Sequence, residues 1–324
     1  MKTKQASIYG IMLMLLNMAS IATSDICSKA LREVMTSAHI VFSYKLLLLL
    51  IITPWVLSKG LEGLKTEKIH IHIIRSLLSV MGLLFFIHGL KYVNMADAAA
   101  LENLQSIALA LIGGIFFGEK LTKTKIIAAF IGFIGAIIVV KPGIVDWLIY
   151  GNEAAINTDK YYGFTLIGIG FWILNSVTVK ILGKTEKTKT QMFYLLFFAC
   201  LWSAPAALVK WKSTYVFGME LNLIPYEFIT FDQFNIQLSS VKFLLIMCLC
   251  QFIHGISYFK ALKYDLSIVE PLRYTKLIFS ALLGYLMFSE SPAIESYIGY
   301  ICIVISGLLL VNYEVKKVRR LKKQ

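Results

Sequence analysis

Ten apolar stretches, each long enough to cross a bilayer, follow one another through this chain and leave only short connections between them. A membrane helix needs roughly 20 mostly apolar residues. Candidates lie near 8–30, 38–58, 72–90, 95–117, 123–141, 162–182, 190–209, 240–262, 266–288 and 295–314. Pro54 and Pro205 fall in the second and seventh and could kink or shorten them, although proline is tolerated inside bilayer helices. The expected fold class is an all-α membrane protein of ten transmembrane helices. Composition agrees: 58% of the 324 residues are hydrophobic and 16% charged, more apolar surface than a soluble core can bury.

Basic residues set the direction. Lys2 and Lys4, then Lys59, Lys65 and Lys68, then Lys120, Lys123 and Lys125, then Lys184, Lys187 and Lys189, then Lys260 and Lys263 occupy alternate connections. The chain ends in Lys316, Lys317, Arg319, Arg320, Lys322 and Lys323. The excess of Lys and Arg on one side places both termini in the cytoplasm. The formal net charge of +13 therefore belongs to membrane topology, and with no basic stretch interleaved with aromatics on a polar domain no nucleic-acid partner is expected. The partners implied are the lipid bilayer and a small-molecule metabolite, and the sequence leaves a homodimer open. Cys27, Cys200, Cys248, Cys250 and Cys302 all lie in apolar runs and read as small buried hydrophobes. The first apolar stretch lacks a small-residue cleavage site and reads as a retained helix.

The chain repeats itself. Gly89-Leu90-Lys91-Tyr92 leads into the fourth span as Ala261-Leu262-Lys263-Tyr264 leads into the ninth, and each of these spans ends in a glutamate, Glu119 and Glu290. Five spans per half is an odd number, so the second copy enters from the opposite side of the membrane. Inverted repeats of this kind are common in secondary transporters, with the substrate site between them near mid-depth.

Asn103-Leu104-Gln105-Ser106 running into Gly113, Gly114, Phe117, Gly118 and Glu119, then Val139-Val140-Lys141-Pro142-Gly143, resembles the first repeat of the EamA family in the drug/metabolite transporter superfamily. Val269-Glu270-Pro271 leading through Ser280, Ala281, Gly284 and Phe288 to Glu290 is similar to the second repeat. The resemblance implies two inverted five-helix EamA-type repeats, 1–143 and 161–314, a periplasmic connection at 144–160, a basic cytoplasmic tail at 315–324, and the bacterial inner membrane. Ser24-Asp25-Ile26-Cys27-Ser28-Lys29, Ile74-Arg75-Ser76-Leu77-Leu78 and Pro271-Leu272-Arg273-Tyr274 further resemble the S-adenosylmethionine transporters of that family.

An ionisable side chain in the hydrocarbon region is expensive and normally faces a cavity or a partner. Glu102, Gln105 and Ser106 form one stripe in the fourth span beside Asn103, which reads as a substrate cavity or as an interhelical hydrogen-bond seam. Glu270, Arg273 and Tyr274 form another in the ninth, where Glu270 and Arg273 could also neutralise each other as an i, i+3 pair. Gln251, His254 and Tyr258 line the eighth, with His254 more often a satisfied structural histidine than a proton carrier. The sixth offers Trp172, Asn175 and Ser176, and the third Arg75, Phe85 and Phe86. The first offers Asp25 with Ser24 and Asn17, a pair with Lys29 being the plainer account of Asp25. Lys45 and Lys180 are expected to snorkel, and Arg75 is balanced between snorkelling and function. Glycines 113, 114, 118, 132 and 135 suit close helix packing.

No GxxxxGK[ST], H-E-x-x-H or cysteine–histidine ligand set occurs, so no cofactor, metal or catalytic residue is expected. The reading is a carrier in which acids hold a cation and Arg273 a carboxylate, suited to a positively charged zwitterion such as S-adenosylmethionine. The rivals are a carrier of another amino-acid-like, purine or drug solute, an intramembrane enzyme, and an assembly or receptor protein. The connection from Trp211 to Ser239 is unexplained.

Overall fold

The computed structural model describes residues 2–58, 64–117, 122–140, 160–182, 185–186, 188–216, 219–228, 238–261 and 270–321. It is helical, as the apolar periodicity requires. The helices are α1 (Lys2–Leu31), α2 (Ser37–Leu57), α3 (Ile69–Leu90), α4 (Met95–Glu102), α5 (Leu104–Phe117) and α6 (Lys123–Val140). They continue with α7 (Lys160–Leu182), α8 (Thr188–Leu208), α9 (Leu238–Ala261), α10 (Thr275–Phe288) and α11 (Ile294–Leu321). Helices α2 and α8 run through Pro54 and Pro205 to Leu57 and Leu208, so neither proline ends its span.

Among the described residues, eight helices are long and apolar enough to cross a membrane. The fourth candidate span differs because it breaks at Asn103, where Asn103 N–H bonds back to the Ala100 carbonyl and Ser106 N–H to the Asn103 carbonyl, both at 3.1 Å and both at the tighter i−3 spacing. The described residues of the ninth are a 3₁₀ turn, Glu270–Tyr274, followed by α10. Irregular backbone of this sort is tolerated at membrane depth only against protein or water.

One departure from an all-helical chain lies in the long connection after α8. Strands β1 (Val209–Val216) and β2 (Met219–Phe228) pair antiparallel from Val209 opposite Phe228 to Val216 opposite Met219, with irregularities at Lys210/Trp211 and Lys212/Ser213. Val209, Trp211, Thr214, Tyr215 and Val216 are β-branched or aromatic, which suits a strand.

The chain forms two compact units, and each draws on both halves of the sequence. One comprises Met1–Ile26, Tyr92–Tyr162 and Leu249–Gln324, the other Cys27–Lys91 and Gly163–Cys248. In the first, α6 and α11 meet through glycines. A Cβ on Gly135 would stand 2.8 Å from the Gly299 carbonyl, one on Gly299 2.7 Å from the Gly135 carbonyl, and one on Gly132 2.8 Å from Ser306 Oγ. Close approach of this kind replaces a hydrophobic driving force between helices in lipid. In the second unit, α2 packs on α8 and α3 around a core of Ile40, Val41, Leu48, Ile52, Val80, Leu196 and Met247. Elsewhere large apolar side chains point outward, including Phe130, Phe133, Leu282, Leu286 and Ile301, an outer surface suited to lipid rather than water.

Candidate functional site

The first unit holds a buried ion cluster. Lys276, the second residue of α10, sends its ammonium to Asp25 Oδ2 on α1 at 2.8 Å and to Glu102 Oε2 on α4 at 2.5 Å. Lys276 is buried and both carboxylates are largely covered. The break at Asn103 puts Glu102 at the last residue of α4, and the 3₁₀ turn delivers Lys276 to the start of α10, so the break and the turn position the partners. Thr275 Oγ1 donates to the Leu272 carbonyl at 2.6 Å and fastens that junction. With both acids ionised and the lysine protonated the three groups sum to one negative charge. Such a cluster is stable only while each member keeps its partner.

Around it runs a polar seam between α1 and α9. Asn17 Nδ2 donates to the His254 carbonyl at 2.8 Å and to Ser257 Oγ at 3.2 Å, and lies 3.0 Å from His254 Nδ1. Gln251 Nε2 donates to Ser24 Oγ at 2.9 Å. The His254 ring stacks on Tyr258 with centroids 6.0 Å apart, and the Arg273 guanidinium lies 5.8 Å from the Tyr258 ring, within cation–π range. Asn103 Nδ2 turns back to the Ala99 carbonyl at 3.1 Å, and Gln105 is half-buried beside it. Tyr274 is buried with its hydroxyl end against Gly307 on α11.

The structure therefore brings together Asp25, Glu102, Asn103, Gln105, Gln251, His254, Tyr258, Arg273 and Tyr274 in one unit. Two expectations change. Asp25 pairs with Lys276 and not with Lys29, because the lysine that reaches it comes from another helix. Glu102 is already matched by a resident cation. His254 is held by Asn17. The side chain of Glu270 lies outside the described residues, so its pairing with Arg273 does too; so do the side chains of Lys180 and of glycine positions 113, 114 and 118.

Arg75, Phe85, Trp172 and Asn175 lie in the second unit. Phe85 stacks with Phe164 and Phe171 at 6.0 and 5.8 Å, and Trp172 packs on Phe86 at 4.8 Å. A Cβ on Gly82 would stand 2.5 Å from the Trp172 ring, so this aromatic depends on the bare backbone opposite. Arg75 Nη1 donates to Gln191 Oε1 at 3.0 Å. Lys45 is buried by protein, which overturns the snorkelling expected of it.

Sequence reasoning missed Lys276, although it stands midway along the ninth candidate span and three residues beyond Arg273 on the same stripe. It also missed Asp97, the third residue of α4. Asp97 is buried and accepts from Tyr162 Oη and Tyr300 Oη, each at 2.5 Å, and from Asn94 Nδ2 at 3.3 Å. Glu290, noted as a repeat-end glutamate, has a physical role. Ser289 adopts φ 54° at the end of α10 and turns the chain back. Glu290 Oε2 then accepts the Met95 N–H at 2.7 Å and fills the space beside Gly284, capping the positive end of α4.

Eight long apolar helices among the described residues, and a buried ion cluster at the break in the fourth span, fit a multi-pass membrane protein. Residues 8–141 match the EamA-like transporter family and form an EamA domain. The chain is 25% identical over 308 residues to the S-adenosylmethionine uptake transporter of Rickettsia bellii, covering 95% of this chain and 94% of that one. It is 26% identical over 277 residues to the riboflavin transporter of Vibrio cholerae, covering 84% and 82%. A solved crystal structure 16% identical in sequence superposes with a TM-score of 0.54 over 98% of this chain and 99% of its own, a likeness of fold. Its relatives are transporters rather than enzymes, which supports a transporter embedded in a membrane and carrying a small molecule.

Proposed function

We propose that this transporter is a secondary carrier working by alternating access, with S-adenosylmethionine as its substrate, taken up or exchanged across a bacterial inner membrane with both termini cytoplasmic. The two halves, 1–143 and 161–314, act as inverted repeats, and a gradient or an exchanged solute supplies the energy. The observation that carries this reading is the Asp25–Lys276–Glu102 bridge between the Asn103 break and the 3₁₀ turn. S-adenosylmethionine bears an ammonium and a sulfonium against one carboxylate, so two carboxylates near a guanidinium match its charges once Lys276 withdraws.

Lys276 acts as a tethered stand-in for the substrate cation. When the carrier is empty its ammonium matches Asp25 and Glu102, and an arriving cation competes for the same oxygens. Arg273, stacked on Tyr258, is placed to take the carboxylate through its fork of N–H donors. Gln251 and Asn103 add neutral hydrogen-bonding groups, and Asn17 with His254 holds α1 against α9.

The relative that carries riboflavin favours a second reading, a flat aromatic solute, for which the Phe85, Phe164 and Phe171 rings offer stacking faces. Uptake of radiolabelled S-adenosylmethionine into proteoliposomes tests the first. It predicts saturable uptake that excess unlabelled S-adenosylmethionine abolishes and riboflavin does not, with loss in Glu102→Gln and Arg273→Lys at normal protein abundance. Uptake indifferent to unlabelled S-adenosylmethionine rejects it, and competition by riboflavin alone selects the second.

A further inference from the structure

The second unit contains buried positive charge that no acid matches. Lys45 on α2 and Arg75 on α3 are 7% and 8% exposed, and His72, one turn before Arg75, is wholly buried. Arg75 Nη1 is held by Gln191 through its side-chain oxygen at 3.0 Å and its carbonyl at 3.5 Å, both neutral acceptors. Arg75 Nε and both His72 ring nitrogens are buried with no hydrogen-bond partner among the described residues. Among the described residues His72 meets the Tyr194 ring, at 5.0 Å, and the Lys45 ammonium lies over the ring of its neighbour Tyr44 at 4.9 Å. The nearby acid is Glu186, whose carboxylate accepts from Thr66 at 2.7 Å. It forms no ion pair with Lys45 or Arg75.

Snorkelling does not resolve this. Lys45 stands 8 residues from the start of α2 and 12 from its end, roughly 12 and 18 Å along the axis at 1.5 Å per residue, farther than its side chain reaches. Lys45 and Arg75 stand on α2 and α3, which pack on one another and on α8, near enough for each charge to oppose the other, and like charges so placed raise one another's energy. A buried charge without a partner is among the least favourable arrangements a protein can hold. The orphaned guanidinium N–H and the unmatched ammonium are donors awaiting an acceptor of opposite charge.

We infer that Lys45 and Arg75, with His72 beside them, form a binding site for an oxyanion, a phosphate or carboxylate group carried by a small solute or by a lipid headgroup. The site lies apart in sequence from the Asp25–Lys276–Glu102 cluster, and its existence does not depend on which solute the carrier moves.

The test is thermal melting of purified, delipidated full-length protein in a nonionic maltoside detergent, with sodium chloride as the background salt. Inorganic phosphate at fixed ionic strength raises the melting temperature of the wild type along a saturable curve, as ligand binding to the folded state must, if the source is a solute. Added phosphatidylglycerol raises it without inorganic phosphate if the source is a lipid. Lys45→Met removes either response and Lys45→Arg keeps it. Because Lys45→Met replaces an unmatched charge with an apolar chain of similar length, it melts at or above the wild type when no oxyanion is present. A Lys45→Met protein that melts below the wild type in detergent alone, or responses that are absent from the wild type or equal in the two proteins, overturns the site.

Discussion

Replacing Lys276 by methionine is the most revealing perturbation of the ion cluster. The lysine touches two carboxylates, at 2.8 and 2.5 Å, and methionine preserves its length while deleting the charge. Asp25 and Glu102 then face one another with no cation between them. Removing one partner of a buried ion pair costs about 3–5 kcal/mol, because an uncompensated charge is left behind. Unfolding entropy of roughly 2 cal/mol/K per residue over 324 residues makes each kcal/mol worth roughly 1.5 °C, so the expected fall in melting temperature is about 4–8 °C. Adding Asp25→Asn and Glu102→Gln to Lys276→Met removes every charge from the cluster and returns most of that loss, since a neutral replacement of a buried ion network is often nearly neutral in stability. Differential scanning fluorimetry in one detergent measures all three proteins. A Lys276→Met protein that melts with the wild type, or a triple variant no better than the single, refutes the reasoning.

Three further outcomes follow from the packing. Gly135→Ala forces a methyl to within 2.8 Å of the Gly299 carbonyl, and overpacking of this kind costs about 1–3 kcal/mol, read as a lower melting temperature and lower membrane abundance. Ser289→Gly relieves a left-handed backbone at φ 54° that disfavours a side chain, and raises stability by about 0.5–1 kcal/mol in the same assay. Asp97→Asn leaves one tyrosine hydroxyl facing an amide N–H in place of a carboxylate oxygen. It destabilises by about 1–3 kcal/mol, with Tyr300→Phe losing less because the other two donors still find their acceptor.

The spans were legible because bilayer thickness sets their length, and a polar residue inside one stands out against apolar neighbours. That is why Glu102, Arg273, Gln251 and His254 were all visible before their partners were. The partners were not, since an ion pair is a statement about two positions far apart. Glu102 and Lys276 are separated by 174 residues, and nothing local says which side chains a lysine midway along the ninth span will meet. Asp25 shows the same limit from the other side: the nearest lysine in sequence is one helical turn away, yet the lysine that neutralises it stands on α10. Asp97 was hidden by its place at a helix start, where an acid is ordinary, and its burial under Tyr162 and Tyr300 is a tertiary fact. The break at Asn103 and the 3₁₀ turn were half visible, as the polar run at 102–106 and Pro271, but the backbone at each is a tertiary result. Lys45 illustrates the opposite error, in which a rule for long cationic side chains near lipid gave way to the observation that protein covers it.

The central claim is that Lys276 holds the place of the substrate cation, and a high-resolution map of the carrier with S-adenosylmethionine bound examines it most directly. The account predicts a ligand ammonium or sulfonium against Asp25 and Glu102, with the Lys276 ammonium withdrawn from at least one of them. A ligand bound elsewhere, with Lys276 still bridging both carboxylates as in Asp25–Lys276–Glu102 here, would contradict it.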